Sequence, residues 1–230
     1  MSPSTQVHNL FPTPIWVLDL EPEVYEPLNS SILANLETML GERPPVKLGA
    51  TLQTDNDLHT VEAFADLTKR ITTSVAGVLR FLEVDYEHFE ITGCWANINP
   101  PGGINTPHMH PNNYLSGVYY VQTGAGADSI FFSDPRPQAG MVLPRMKRES
   151  IYSANEASIE AKVGRMIVFP AWLVHGVPVN RSERDRISVS FNAMFSSFTE
   201  TMSAPRWKPT ARLKREGPVV AGSSRRRGRG

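Results

Sequence analysis

The N-terminal part of the chain consists of one extended segment and two amphipathic segments. Residues 8–20 are rich in strand-forming side chains but contain Pro12 and Pro14, which exclude a helix. Apolar residues then recur at helical spacing in 23–40 and again in 60–82. This pattern predicts an edge strand followed by two helices, each packing an apolar stripe against a sheet.

The pattern changes from about residue 86 onward, where Gly, Pro and Asn separate short runs of strand-forming residues. The predicted strands are Phe89–Ile98, Leu115–Gln122, Ser129–Phe132, Ser158–Ala161, Arg165–Phe169 and Arg186–Phe195. Many short strands in one half of a chain are typical of a double-sheet arrangement. We therefore predict a mainly β fold, a double-stranded β-helix (jelly roll) with two or more supporting N-terminal helices.

Composition divides the chain into a domain at 1–203 and a basic tail at 204–230. The total length of 230 residues is compatible with a single domain of this kind. The tail carries nine Lys and Arg against one Glu, and its Arg-, Gly- and Ser-rich end cannot bury enough surface to fold alone. We expect the tail to be disordered.

Cysteine content and apolar patterning indicate where the protein works. The single cysteine, Cys94, cannot form an internal disulfide, and prolines interrupt the apolar residues near the start of the chain. No stretch approaches the ~18 uninterrupted apolar residues that a membrane span requires. We therefore expect a cytoplasmic protein without a membrane partner.

Histidines that share one face of an extended segment are the first chemical signal. Residues i and i+2 of a strand point to the same side, so His108 and His110 can direct two imidazoles toward one point. A lone His-x-His in a proline-rich loop is more often a surface feature. The third histidine, His175, changes that balance because it ends an apolar run just before Gly176 and Pro178.

Eleven residues after His175, the segment 186–192 alternates strictly between polar and apolar side chains. Its polar face consists of Arg186, Ser188, Ser190 and Asn192. Such a face ordinarily meets water, but behind a metal-ligand-like histidine it can instead line a binding pocket.

Together these motifs resemble the 2-oxoglutarate/Fe(II)-dependent oxygenase superfamily. Its members have a jelly-roll core, an H-x-D/E…H metal site and a basic residue about ten positions after the last histidine. His108-x-His110, His175 and Arg186 occupy those places. The segments HMHPN, SGVYY, FPAWLVHG and RISVSFN, with the opening FPTPI, are similar to a group of small bacterial and phage members, so the resemblance spans about 8–196.

The resemblance implies an enzyme that uses Fe(II), 2-oxoglutarate and O2 to oxidise an organic substrate with release of succinate and CO2. It assigns the metal to His108, His110 and His175. It places the distal carboxylate of 2-oxoglutarate on Arg186 and Ser188, with Tyr120 helping. Asn97 and Asn99, beside Trp95, could line the same pocket, although capping of the following Pro-Gly turn is an equal alternative for Asn99.

One position departs from the family pattern, because His110 stands where a carboxylate is usual. A three-histidine site would leave the metal centre one unit more positive and tighten its hold on an anionic co-substrate. Asp128 or Asp134 could supply a carboxylate instead, although Asp-Pro at a strand end is usually turn chemistry. Halogenases of the superfamily carry a small residue here, so a coordinating histidine favours hydroxylation or desaturation.

The substrate is the least constrained part of the hypothesis, since loops rather than the barrel select it. Small molecules, amino acids and peptides all stay open, as does the oligomeric state. Trp172 is the candidate substrate-binding residue. The polar segment 52–59 is a second candidate for the substrate side, with helix capping the more ordinary interpretation.

Two other functions compete with this hypothesis. A cupin-like oxygenase or isomerase also carries an H-x-H metal motif on a β-barrel, but it would not need Arg186 and Ser188. A protein that binds nucleic acid or an acidic partner could use the arginines of the tail, which are typical of phosphate recognition.

Overall fold

The computed structural model describes residues 4–41, 46–148 and 150–199, so the basic tail at 204–230 lies outside the described residues. Ten strands form two antiparallel sheets. They are β1 (Trp16–Asp19), β2 (Leu52–Gln53), β3 (Phe89–Asn99), β4 (Asn105–His108), β5 (Leu115–Gln122), β6 (Ser129–Ser133), β7 (Glu156–Glu160), β8 (Arg165–Pro170), β9 (His175–Val177) and β10 (Arg186–Phe195).

The six-stranded sheet has the order β1-β8-β5-β10-β3-β2, and the four-stranded sheet has the order β4-β9-β6-β7. Every described strand pair is antiparallel, and the two sheets face each other as a jelly roll. The predicted fold class is confirmed. The edge position of β1, predicted from its prolines, is confirmed as well.

Three helices accompany the sheets: α1 (Pro22–Leu40), α2 (Ala65–Phe81) and the short α3 (Ser196–Thr199). The first predicted helix, 23–40, is confirmed almost to the residue. The second begins later than the predicted residue 60, because two 3-10 turns, Leu58–Thr60 and Glu62–Phe64, precede it. Among the described residues, no helix has the length and apolar character that crossing a membrane requires.

The apolar faces of α1 and α2 cover the outer side of the six-stranded sheet. Leu36 of α1 and Ile71 of α2 belong to the same buried cluster as Val189 of β10. Asn29 fixes the register of α1, since its amide donates to the Val121 carbonyl and accepts from the Tyr119 hydroxyl. A second apolar cluster fills the space between the sheets.

Strand β10 lies in the middle of the six-stranded sheet, between β5 and β3. Its apolar side chains, including Val189 and Phe191, enter the core under the helices. Its polar side chains Arg186, Ser188 and Ser190 point to the opposite side and line a cavity between the sheets. The alternation predicted from the sequence therefore separates core from cavity along one strand.

We predict that Gly117→Ala destabilises the protein, because the Phe191 ring of β10 occupies the space that a side chain at this position would need. A Cβ there would clash with Cζ of the buried Phe191 and would lie 2.8 Å from the Ile167 carbonyl oxygen. The free energy of unfolding should fall by about 1–3 kcal/mol, as overpacking does elsewhere. Denaturant unfolding monitored by circular dichroism measures this change.

Gly77→Ala is the matched control for that substitution. Gly77 lies in α2, where an added Cβ meets nothing within 4 Å and alanine has the higher helix propensity. Its free energy of unfolding should rise, by up to about 1 kcal/mol. Equal stability of both variants would contradict the close packing of β5 on β10.

Candidate metal centre and co-substrate pocket

Three histidines converge at one end of the four-stranded sheet. His108 ends β4 and lies opposite His175, the first residue of β9. His110 follows β4, and its backbone N–H donates to the Ala171 carbonyl at 2.9 Å. The ring centroids lie 4.5 to 5.2 Å apart, and one ligand atom from each imidazole lies within 4.8 Å of the others.

Two backbone carbonyls orient the imidazoles of His108 and His175. Nδ1 of His108 lies 2.7 Å from the Thr106 oxygen, and Nδ1 of His175 lies 2.9 Å from the Leu173 oxygen. A carbonyl only accepts hydrogen bonds, so both imidazoles carry their proton on Nδ1 and leave the Nε2 lone pair for a cation. Such a second hydrogen bond is the usual companion of a metal-binding histidine.

Burial keeps His110 and His175 neutral, and a histidine must be neutral to bind a metal. Burial, followed by the nearby His175 and His108, lowers the pKa of His110 to about 3. Burial lowers the pKa of His175 to about 4, against the hydrogen bond to the Leu173 carbonyl, which raises it. Both side chains therefore offer lone pairs across the whole physiological range.

The three imidazoles fit a divalent transition metal. Two nitrogens that bind the same ion in neighbouring positions lie about 3 Å apart, each ~2.1 Å from the ion. Small side-chain rotations bring the three ligand atoms from their present spacing to that distance. No Asp, Glu or Cys among the described residues joins this group, and Asp134 instead pairs with Arg136 at 2.7 Å.

Close packing holds His175 at this position. An added Cβ on the next residue, Gly176, would lie 2.5 Å from Cζ of Phe131 and 3.0 Å from the Asn105 carbonyl oxygen. On the other side, the Phe169 ring lies 4.5 Å from the His175 ring. Glycine is therefore needed here, because β4, β6 and β9 meet beside the histidine.

The histidines open into a cavity between the sheets, with about 40 Å³ of space for water-sized molecules. One wall is apolar and includes Val118, Ile130 and Phe169. The lining from β10 and β3, which lie in the same six-stranded sheet as Val118 and Phe169, is polar.

Arg186 lies in this cavity and forms no ion pair among the described residues, although the charge of Asp128 acts on it from nearby. It is 1% exposed, and among the described residues its guanidinium makes one hydrogen bond, from Nη1 to the Ser129 carbonyl at 2.9 Å, while Nε has no partner. Burial lowers its pKa, although a guanidinium stays cationic at neutral pH. A buried cation without a carboxylate partner is costly unless an anionic ligand completes it.

Tyr120 and Ser188 surround this cation. The Arg186 guanidinium lies 5.2 Å from the centroid of the Tyr120 ring, and Ser188 is paired across the strands with Tyr120. The Tyr120 hydroxyl is fully buried without a hydrogen-bond partner, and burial raises its pKa, so it stays protonated. The three side chains together offer several donors to one anion.

The other residues proposed from the sequence fall into two groups. Trp95 and Asn97 line the cavity, whereas the buried Asn99 donates its amide to Thr51 and Asn105 and does not line it. That arrangement favours a structural role for Asn99. Trp172 is 52% exposed and lies outside the cavity lining, so its contact with substrate stays a prediction.

Sequence patterns did not single out Phe169, which appeared only as a strand residue. A core aromatic carries no distinguishing motif, so no signal in the sequence identified it as a cavity residue. Gln53 belongs to the segment 52–59, which the sequence offered as a candidate for the substrate side; it lines the cavity and pairs with Asn97 at the edge of the six-stranded sheet.

Comparison with known proteins agrees with this geometry. A family model described as "Putative 2OG-Fe(II) oxygenase" matches residues 93–192, the stretch from β3 to β10 that contains all three histidines and Arg186. Over this stretch, which is less than half of its length, the chain is similar to the 2-oxoglutarate/iron(II)-dependent oxygenases. No curated protein sequence matches it.

Solved structures of three other proteins share the fold at low sequence identity. The epimerase SnoN from nogalamycin biosynthesis is 12% identical with a TM-score of 0.56, covering 89% of this chain and 94% of SnoN. A Pseudomonas putida prolyl-4-hydroxylase is 16% identical, with a TM-score of 0.55 and coverage of 80% and 93%. HygX from Streptomyces hygroscopicus, with nickel and 2-oxoglutarate bound, is 14% identical, with a TM-score of 0.56 and coverage of 80% and 83%.

We predict that His175→Ala abolishes the binding of one divalent ion per chain. The variant loses the most buried of the three ligands, while the apolar clusters that hold the sheets stay intact. Metal content after iron or nickel loading, measured by mass spectrometry, should fall to background with an unchanged circular dichroism spectrum.

His88→Ala serves as the control, because His88 is exposed and lies outside the histidine group. It should bind the same amount of metal as the unaltered protein. Full metal content in His175→Ala would show that these histidines do not hold the ion.

Proposed function

We propose that this oxygenase binds Fe(II) through His108, His110 and His175 and uses 2-oxoglutarate and O2 to hydroxylate a small organic substrate, releasing succinate and CO2. One observation carries the proposal. A single cavity contains three convergent imidazoles and a buried Arg186 that forms no ion pair among the described residues. Residues up to 199 contain this entire arrangement, so we assign catalysis to the jelly roll rather than to the tail at 204–230.

In this proposal 2-oxoglutarate lies between two groups of residues, with Arg186, Ser188 and Tyr120 at one end of the cavity and the three histidines at the other. The distal carboxylate pairs with Arg186, whose planar fork suits a bidentate contact, and Ser188 and Tyr120 add hydroxyl donors. The carboxylate and keto group at the other end of 2-oxoglutarate would lie toward His108, His110 and His175, which would hold the iron. Iron bound there supplies the activation of O2 that couples decarboxylation of 2-oxoglutarate to oxidation of the substrate.

The surrounding side chains keep water away from this chemistry. Phe169 and Val118 form the apolar wall, and Trp95 lies beside His110 with ring centroids 5.6 Å apart. A dry wall strengthens the pairing of Arg186 with a carboxylate. It also protects reactive species from hydrolysis and unwanted proton transfer.

Arg186 also argues against a cupin-like enzyme that works without 2-oxoglutarate. Such an enzyme would have no use for a buried guanidinium that lacks an anionic partner and costs stability. Release of succinate from 2-oxoglutarate by the iron-loaded protein, with or without a primary substrate, tests the proposed function. No succinate above the metal-free protein would overturn it.

We predict that Arg186→Met abolishes 2-oxoglutarate binding without destabilising the protein. Methionine fills much of the same volume and removes a desolvated charge, so the free energy of unfolding without ligand should stay the same or rise. Nickel-loaded wild-type protein should gain about 2.7 kcal/mol of stability at a 2-oxoglutarate concentration 100 times its Kd. The variant should gain nothing.

Thermal unfolding with and without 2-oxoglutarate measures both effects. Arg136→Met is the control, because Arg136 is exposed and pairs with Asp134 outside the cavity. It should keep the full ligand-induced shift. A ligand-induced shift of wild-type size in Arg186→Met would mean that another group binds the distal carboxylate.

A further inference from the structure

The polar wall of the cavity contains more hydrogen-bonding groups than 2-oxoglutarate needs. Arg186, Ser188 and Tyr120 serve the distal carboxylate in the proposed function, and the histidines serve the metal. Gln53, Asn97 and Ser190 also line the cavity but belong to neither group. Ser190 is four residues from Arg186 along β10, which places their Cα atoms about 13 Å apart.

These three side chains form a directed chain of hydrogen bonds. Gln53 Nε2 donates to Asn97 Oδ1 at 2.7 Å, and Asn97 Nδ2 donates to Ser190 Oγ at 2.9 Å. Among the described residues, Ser190 accepts this bond and donates none. Its hydroxyl proton is therefore left for an acceptor within the cavity, and the preceding bonds polarise it as a donor.

Trp95 lies beside this donor. It is paired with Ser190 across β3 and β10, and its ring lies against His110 at the metal end of the cavity. Trp95 therefore offers an aromatic surface between the Ser190 hydroxyl and the histidines. A ligand group that rests on Trp95 and accepts from Ser190 would lie next to the metal centre.

Charge limits what that ligand can be. A divalent ion, three neutral imidazoles, Arg186 and doubly anionic 2-oxoglutarate leave one positive charge in excess. The described lining residues include no Asp or Glu, and Asp128, whose charge acts on Arg186, lies outside that lining. An ammonium group would be repelled, whereas a neutral carbonyl or hydroxyl oxygen would be favoured.

We propose that Gln53, Asn97 and Ser190, with Trp95, form a subsite for a substrate group that is uncharged and carries an acceptor oxygen, such as an amide carbonyl or a sugar hydroxyl. This subsite rests on the proposed function, because the charge argument includes the metal and 2-oxoglutarate. It excludes substrates that present a free amine at this position.

Two pairs of probe compounds test the subsite, each pair differing by one acetyl group that removes a positive charge. They are N-acetylglucosamine with glucosamine, and N-acetylalaninamide with alaninamide. Zinc-loaded protein saturated with 2-oxoglutarate does not turn over, so saturation-transfer NMR reports binding alone. The acetylated member of each pair should bind, and its amine partner should bind at least several-fold more weakly.

Ser190→Ala should weaken binding of the acetylated probes by about three- to tenfold, the effect of one lost hydrogen bond. Ser116→Ala is the control, since the Ser116 hydroxyl of β5 donates to Asn192 of β10 at 2.7 Å, outside the cavity lining. It also loses an inter-strand side-chain hydrogen bond and should bind the probes as wild type does.

Three outcomes overturn the subsite: amines that bind as well as their acetylated partners, acetylated probes that do not bind, or wild-type binding by Ser190→Ala. Failure of the proposed function looks different, because iron-loaded wild-type protein would then release no succinate from 2-oxoglutarate. Succinate release together with any of the three outcomes rejects the subsite alone.

Discussion

The alternation of side chains along β10 is the constraint on which the rest of the molecule depends. Every second residue points to the helices and every other residue to the cavity. Val189 and Phe191 therefore anchor the core while Arg186, Ser188 and Ser190 present chemistry on the other side. A shift of one residue in register would bury three polar side chains under the helices and expose the apolar face to the cavity.

Bonding to strands on both sides makes such a shift costly. Residue pairs run without interruption from Arg186–Asn99 to Asn192–Gly93 along β3, and β5 pairs along the other edge of β10. The buried guanidinium is tolerated because this central position is so firmly fixed. Stability supplied by the core thus maintains a charged group that the fold itself does not need.

The sequence predicted most of the strands and the two long helices, but not the short strands β2, β4 and β9. β3, β5, β8 and β10 carry enough strand-forming residues for their pattern to stand out, and α1 has clear helical spacing. β4 and β9 were missed, although they hold two of the histidines. Each is only a few residues long, and each contains a residue that is typical of turns, Pro107 in β4 and Gly176 in β9.

The clustering of the three histidines was nonetheless predicted, because imidazole chemistry is visible at the level of residue type and spacing. The polar face that carries Arg186 was predicted from its alternation. The contact of Gln53 with Asn97 and the donor role proposed for Ser190 depend instead on which strands become neighbours. The pairing of β2 with β3 brings residues 44 positions apart into contact, and no local pattern encodes that pairing.

The three histidines differ in their access to solvent, because the side chain of His108 is exposed, that of His110 is half-buried and that of His175 is buried. An ion bound by this group would therefore meet His108 before His110 and His175. Neither apolar cluster contains the histidines, so neither cluster depends on the ion for its packing. All-nitrogen donor sets follow the general affinity order of the divalent metals, which favours nickel and copper over iron. The ion acquired in a cell is then governed by the relative supply of free metals at the time of loading.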